Sequence, residues 1–262
     1  MTLYTANALV VGLGNFTHPL TRHSISQLTL ENIHTLLNQY HHQHRSLPSP
    51  PIAHRETVHR IQSDTQGNSD LSNHLKLSKP HAAWIAKHDL QLHYHANQPT
   101  SRGTTHLSLH LLKPRAQMNI SGPVVHSYHA HISKASPGQQ QTKLIIIHDE
   151  LDLHPLTVKL KQPPQSSKHK GHNGLRSVFS SLKNYPSRNV YTIAVGIGRD
   201  PTNPSKDPRD VGAWVLSPLT RSEINACSWD IDRAPSFQQD QNQSGSVVFK
   251  VWKEILGIVT QN

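Results

Sequence analysis

Histidine, aspartate and asparagine gather in four short polar clusters: Asn15 to His23, Met118 with Asn119, His148 to Asp152, and His169 to Asn173. Imidazole, carboxylate and carboxamide are the parts of a hydrolytic site that uses water as its nucleophile. An imidazole with an ordinary pKa of about 6.5 can take a proton from water. A buried carboxylate can hold that ring in place, and amides can orient the water or donate to a developing oxyanion. On these chemical grounds His23 and Asp149 form the candidate pair, but with 22 histidines in the chain one ring says little by itself.

Other chemistries fit the residues less well. No GxSxG motif occurs, and the one cysteine, Cys227, lies in a weakly patterned tail, so acyl-enzyme chemistry has little support. The groups HHQH (41–44), HYH (93–95) and HD (148–149) have neither the HExxH pattern nor the spacing of a closed zinc site. GLGN (12–15) opens like a dinucleotide fingerprint, but Thr17 stands where the third glycine belongs, which argues against hydride transfer.

The elements that must position these clusters alternate between strands and helices. ALVVG (8–12) reads as a buried strand running into a loop, and Leu28, Ile33, Leu36, Leu37 and Tyr40 then recur at helical spacing. Residues 84–96 and 105–114 alternate as a long hairpin, and 121–132 resume a helical period. KLIIIHDELDL (143–153) reads as a central strand ending in acids, 157–162 and 189–198 as further strands, and 175–182 as the start of a helix. The expectation is a single globular α/β domain over 1–262, with a mixed central β-sheet flanked by helices. Residues 41–81, poor in apolar side chains and punctuated by proline, read as a solvated, disordered insertion. The segments 199–210 and 228–246 read as loops, and 247–259 as a packing helix with Val248, Val251, Trp252, Ile255 and Val259 on one stripe.

Charge bears on partners. Lysine and arginine number 26 against 16 acids, a formal net charge of +10, which favours a polyanionic partner. Aromatic residues make up only 5%, little stacking capacity for a general single-strand binder. A lone cysteine forms no internal disulfide, and there is no apolar run of about 18 residues to span a membrane. With the first strand almost at Met1, a cytoplasmic location is expected.

Taken together, VVGLGN (10–15), TRH (21–23), KPRAQMNISG (113–122), HDELDL (148–153), KLK (159–161), GHNGLRS (171–177) and VGIGR (195–199) resemble, in that order, the bacterial-type peptidyl-tRNA hydrolases. The resemblance covers most of residues 8–220 and fades over 224–262, a divergent tail and helix. It implies a monomeric esterase that cleaves the bond between a peptide and the 3′-terminal ribose of tRNA, with no metal or cofactor and no obligate protein partner. It places the catalytic histidine at His23, its orienting aspartate at Asp149, and further catalytic asparagines at Asn15, Asn119 and Asn173. Met118 and His172 would contact substrate, and Lys159 and Lys161 would hold phosphates of the acceptor stem and 3′ CCA end. The loop from Asn15 to His23 is two residues shorter than the family pattern, and Ser24 replaces the usual asparagine. Thr192 and Ala194 replace common arginines, a loss that Lys168 and Lys170 would offset. A catalytically weakened RNA-binding relative is the alternative reading, and because relatives of the bacterial type often serve mitochondria, the resemblance, with the eukaryotic look of the polar insertion and the His/Gln/Ser-rich segments, makes the mitochondrion the alternative location.

Overall fold

The apolar run at 8–12 is the end of a longer strand, β1 (Thr2–Gly12), at the middle of the sheet. Ala8 and Val10 pack into one core and Leu9 and Val11 into another, so the strand is buried on both faces. In this computed structural model the described residues are 2–42, 56–63, 74–96, 103–135, 141–163, 169, 171–182, 185–229 and 246–260. After β1 a short 3-10 turn (Arg22–Ser24) leads into α1 (Ile25–His42). Then come β2 (Glu56–Ser63), β3 (Lys76–Ser78), β4 (Ala83–Ala96), β5 (Gly103–Pro114), a 3-10 turn (Met118–Ile120) and α2 (Ser121–Ala135). The chain continues through β6 (Lys143–Glu150), β7 (Val158–Lys161), α3 (Asn173–Ser181), β8 (Val190–Gly196), α4 (Pro208–Val215), α5 (Arg221–Ala226) and α6 (Val247–Val259).

The strands lie in the order β2-β4-β5-β1-β6-β8-β7, with β3 also paired to β4. β5, β1, β6 and β8 run parallel, and the outer pairings are antiparallel, so the sheet is mixed. α1 and α6 cover one face through Leu30, Ile33, Leu36, Val251 and Trp252; α2 and α3 cover the other through Val125, Tyr128, Leu175 and Val178. The four parallel strands deliver their C-terminal ends to one edge, where an α/β sheet leaves room for chemistry. Each polar cluster lies at or just beyond that edge.

The composition of 41–81 is misleading for part of its length. Residues 56–63 and 76–78 are strands paired with β4. A strand at the sheet edge bonds on one side only and needs no long apolar run, which is why its polar sequence resembled an insertion. Residues 43–55 and 64–73 lie outside the described residues. Two short helices are added, the first of them where loop was expected. α4 starts inside 199–210, capped by Asp207 with Pro208 in its first turn, and α5 carries a reciprocal capping box between Thr220 and Glu223. α6 falls on the expected residues, and its Trp252 is fully buried. Among the described residues, no helix is long and apolar enough to cross a membrane.

Candidate active site

The last residues of β6 bring a carboxylate to the sheet edge, and the turn before α1 brings an imidazole down onto it. His23 Nδ1 lies 3.0 and 2.9 Å from the two carboxylate oxygens of Asp149, across 126 residues of sequence. Asp149 also receives His172, whose Nε2 is 2.9 Å from Oδ1. The carboxylate is 3% exposed, His23 16% and His172 11%. One buried carboxylate is thus held between two imidazoles.

Hydrogen bonding fixes the tautomers. His172 caps α3, its Nδ1 accepting from the backbone N–H of Leu175, so its proton sits on Nε2 and is donated to Asp149. His23 donates from Nδ1 to the same carboxylate, which leaves its Nε2 with a free lone pair. Burial alone would raise the pKa of Asp149, but the charge and hydrogen bonds of His23 and His172 hold it well below the usual carboxylate range. Burial works against a charged His23 ring; the Asp149 charge and hydrogen bond more than offset this, and its pKa is raised above 6.5.

The loop that carries His23 is closed by local bonds. Ser24 Oγ accepts from the Asn15 N–H at 3.0 Å and donates to the His18 carbonyl at 2.9 Å, so the serine that replaces an asparagine staples the shortened loop. Leu20 takes φ +58°, a costly conformation for a branched side chain, and its carbonyl is held by the Leu219 N–H. Arg22 anchors the other side. Its guanidinium donates to Ser217 Oγ at 2.8 Å and to the Pro218 carbonyl, pairs with Glu223 at 3.2 Å and lies 4.0 Å above the Trp214 ring. With Ser24 engaged in this way, and Cys227 buried with its thiol pushed up to about 12, neither serves as nucleophile.

A cleft of about 510 Å³ opens over the pair, its lining including His23, His148, Asp149, His172 and Asn173. Lys161, Arg199 and Lys206 also line it, and Val211 and Val215 of α4 add apolar surface. His148, fully buried, donates from Nδ1 to the Asp149 carbonyl at 2.8 Å and leaves Nε2 unpartnered at the cleft floor. Burial, with the neighbouring His172 ring, lowers its pKa to about 3. Its cluster was visible in the sequence, but no role followed from composition.

The expected site residues divide. His23, Asp149, His172 and Asn173 meet at the cleft, and Lys161 lines it while paired to Glu150 at 3.0 Å. Asn15, Met118 and Asn119 do not line that cavity. Asn15 turns its side-chain oxygen to Thr17 of its own loop, and Asn119 is exposed in its turn. Met118 is buried against Gly174, where a Cβ would collide with its sulfur; close packing is the reason for glycine there. Lys159 is exposed on β7, and Lys168 and Lys170 lie outside the described residues. His172, expected to contact substrate, lines the cleft with both ring nitrogens committed, to Asp149 and to the start of α3.

His23, Asp149 and His172 also present ligand atoms within 4.8 Å of one another, a possible metal cradle. A metal on His172 Nε2 would force its proton onto Nδ1, against the Leu175 N–H. The hydrogen bonds of the three groups instead fit two imidazoles donating to one carboxylate.

The sequence profile described as peptidyl-tRNA hydrolase matches residues 74–245. The chain belongs to the peptidyl-tRNA hydrolase family. Among relatives, it is 40% identical over 108 residues to a peptidyl-tRNA hydrolase of Saccharomyces cerevisiae, covering 41% of this chain and 52% of that protein. It is 38% identical over 113 residues to one of Rhodococcus jostii, covering 43% and 51% respectively. The chain thus spans about half the length of the curated relatives it matches. The crystal structure of peptidyl-tRNA hydrolase from Acinetobacter baumannii aligns at TM-score 0.51 and 20% identity over 100% of this chain and 99% of that one, and so shares its fold. The family match starts after Asn15 and His23. Geometry connects that missing part, since His23 reaches Asp149 inside the matched span.

Proposed function

We propose that this protein hydrolyses peptidyl-tRNA, cleaving the ester between a peptide and the terminal ribose and so recycling tRNA. The observation that carries this reading is the 2.9 Å contact of His23 Nδ1 with Asp149, which leaves Nε2 free as a base facing the cleft. Water gives a proton to His23 Nε2 while its oxygen bonds to the acyl carbon. The carbon–oxygen bond to the ribose then breaks, and His23 returns the proton to the leaving oxygen. Asp149 holds the ring and stabilises its charged form, and His172 holds Asp149. Asn173, exposed at the first position of α3 and lining the cleft, steadies the water or the oxyanion in this reading.

In this reading the terminal nucleoside occupies the cleft, and Lys159, Lys161, Arg199 and Lys206 attract the phosphates behind it. Supporting it, Lys159 and Lys206 have no carboxylate partner among the described residues. The test is release of the acyl group from N-acetyl-aminoacyl-tRNA and from unblocked aminoacyl-tRNA, both in chelator. Release from the blocked substrate alone is expected. Equal release from both, or none from either, would overturn the assignment.

A further inference from the structure

A second feature occupies the same sheet edge, on the far side of β1 from Asp149. Phe16, in the loop after β1, and Trp84, at the start of β4, place their rings 6.5 Å apart at 49°. The guanidinium carbon of Arg115, just beyond β5, lies 5.9 Å from the Phe16 ring centre and 6.0 Å from that of Trp84. Lys113, opposite Trp84 in the β4–β5 pair, stands over the same indole at 5.1 Å and is neutralised by Glu31 at 2.6 Å. Arg115 is exposed and has no carboxylate partner among the described residues. A guanidinium steadied by two rings, with its donors unpaired, is poised for an anionic group.

Its place along the edge says which part of the substrate reaches it, and here the inference rests on the peptidyl-tRNA reading above. The order β6-β1-β5-β4 puts Trp84 three strand positions from Asp149. At roughly 4.8 Å per strand, that is about 14 Å. An extended peptide advances about 3.3 Å per residue, so the shelf meets a side chain about four residues from the ester. On the opposite side of Asp149, the 510 Å³ cleft with Lys161, Arg199 and Lys206 has the size and charge for a nucleoside and its phosphates. With the RNA end there, the acyl chain leaves across β1 and β5 towards β4.

We propose that Phe16, Trp84 and Arg115 form an acyl-chain subsite that selects peptides by charge, favouring a carboxylate and disfavouring an ammonium group about four residues from the ester. The rings supply a floor for the chain and fix the guanidinium, and Arg115 reads the charge. Among the described residues the Arg115 side chain makes no hydrogen bond, and the turn is held by its backbone N–H on the Ala82 carbonyl, so the side chain can be changed without disturbing the turn.

The test uses three N-acetylated pentapeptidyl-tRNAs that differ only in Glu, Ala or Lys at the fourth residue from the ester. With wild type, kcat/KM for the Glu substrate should exceed that for the Lys substrate by roughly three- to ten-fold, as one exposed charge contact made or opposed allows. In Arg115→Gln the ratio should fall close to one. A wild-type ratio near one, with all three hydrolysed, overturns the subsite. So does a uniform loss in R115Q accompanied by weaker binding of deacylated tRNA, which would make the shelf an RNA surface. Failure to hydrolyse any of the three would instead overturn the hydrolase reading, and the subsite with it.

Discussion

Asp149 governs the chemistry of both rings that touch it. His23→Ala removes the base and should lower turnover by at least about 10²-fold, the contribution expected of a positioned general base, with little change in tRNA affinity. Because the His23 pKa is raised and the ring must be neutral to act, the acid limb of kcat/KM should lie above pH 6.5. Asp149→Asn removes the negative charge and leaves burial to act alone, so the surviving activity should show that limb at lower pH. A limb that stays in place would show that another group sets it. The pairing of His23 with Asp149 was legible in the residue types and the family resemblance. The second imidazole on Asp149 was not, because it depends on His172 capping α3 through Leu175, a contact that no spacing rule contains.

Arg22 shows how elements hold the catalytic loop. It links the turn before α1 to Trp214, Ser217 and Pro218 around the end of α4 and to Glu223 of α5. Arg22→Leu should therefore lower kcat by about 10- to 100-fold, the scale of a 1 Å displacement of a catalytic group, while tRNA affinity changes little. A loss confined to tRNA affinity would contradict this. In the core between α6 and the sheet, Trp252→Ala should cost about 3–5 kcal/mol by chemical denaturation, because a fully buried indole is removed. The long elements were legible because apolar period and length agree over ten or more residues. β2 was hidden because an edge strand needs little apolar sequence. α4 and α5 are too short for a period, and only their caps, Asp207 with Pro208 and Thr220 with Glu223, signalled them.

Across the whole molecule, the histidines make stability sensitive to acid. Burial, with lesser help from neighbouring charges, lowers the pKa of His110 and His129 to about 4 and of His148 to about 3. The unfolded chain binds these protons at about pH 6.5, so the stability they allow is complete above that pH and is lost as pH falls towards the folded values. Asp149, depressed, adds a loss further down, whereas His23, raised, acts the other way. The net loss should be on the order of a few kcal/mol, less the solvent screening of part-buried His110. Tm should fall steadily from pH 6.5 to 4.5, and a flat Tm across that range would contradict the burial of these rings. The +10 charge predicts a second global property: tRNA affinity should fall steeply with added salt.

His23, carried by a loop outside the family match, is the group that must activate water for the cleft. Single-turnover hydrolysis of N-acetyl-aminoacyl-tRNA in chelator, by wild type and His23→Ala at equal occupancy, measures this most directly. Rapid cleavage by wild type, with H23A binding the substrate but leaving the ester intact, is the predicted result. Cleavage by H23A at near the wild-type rate would contradict it.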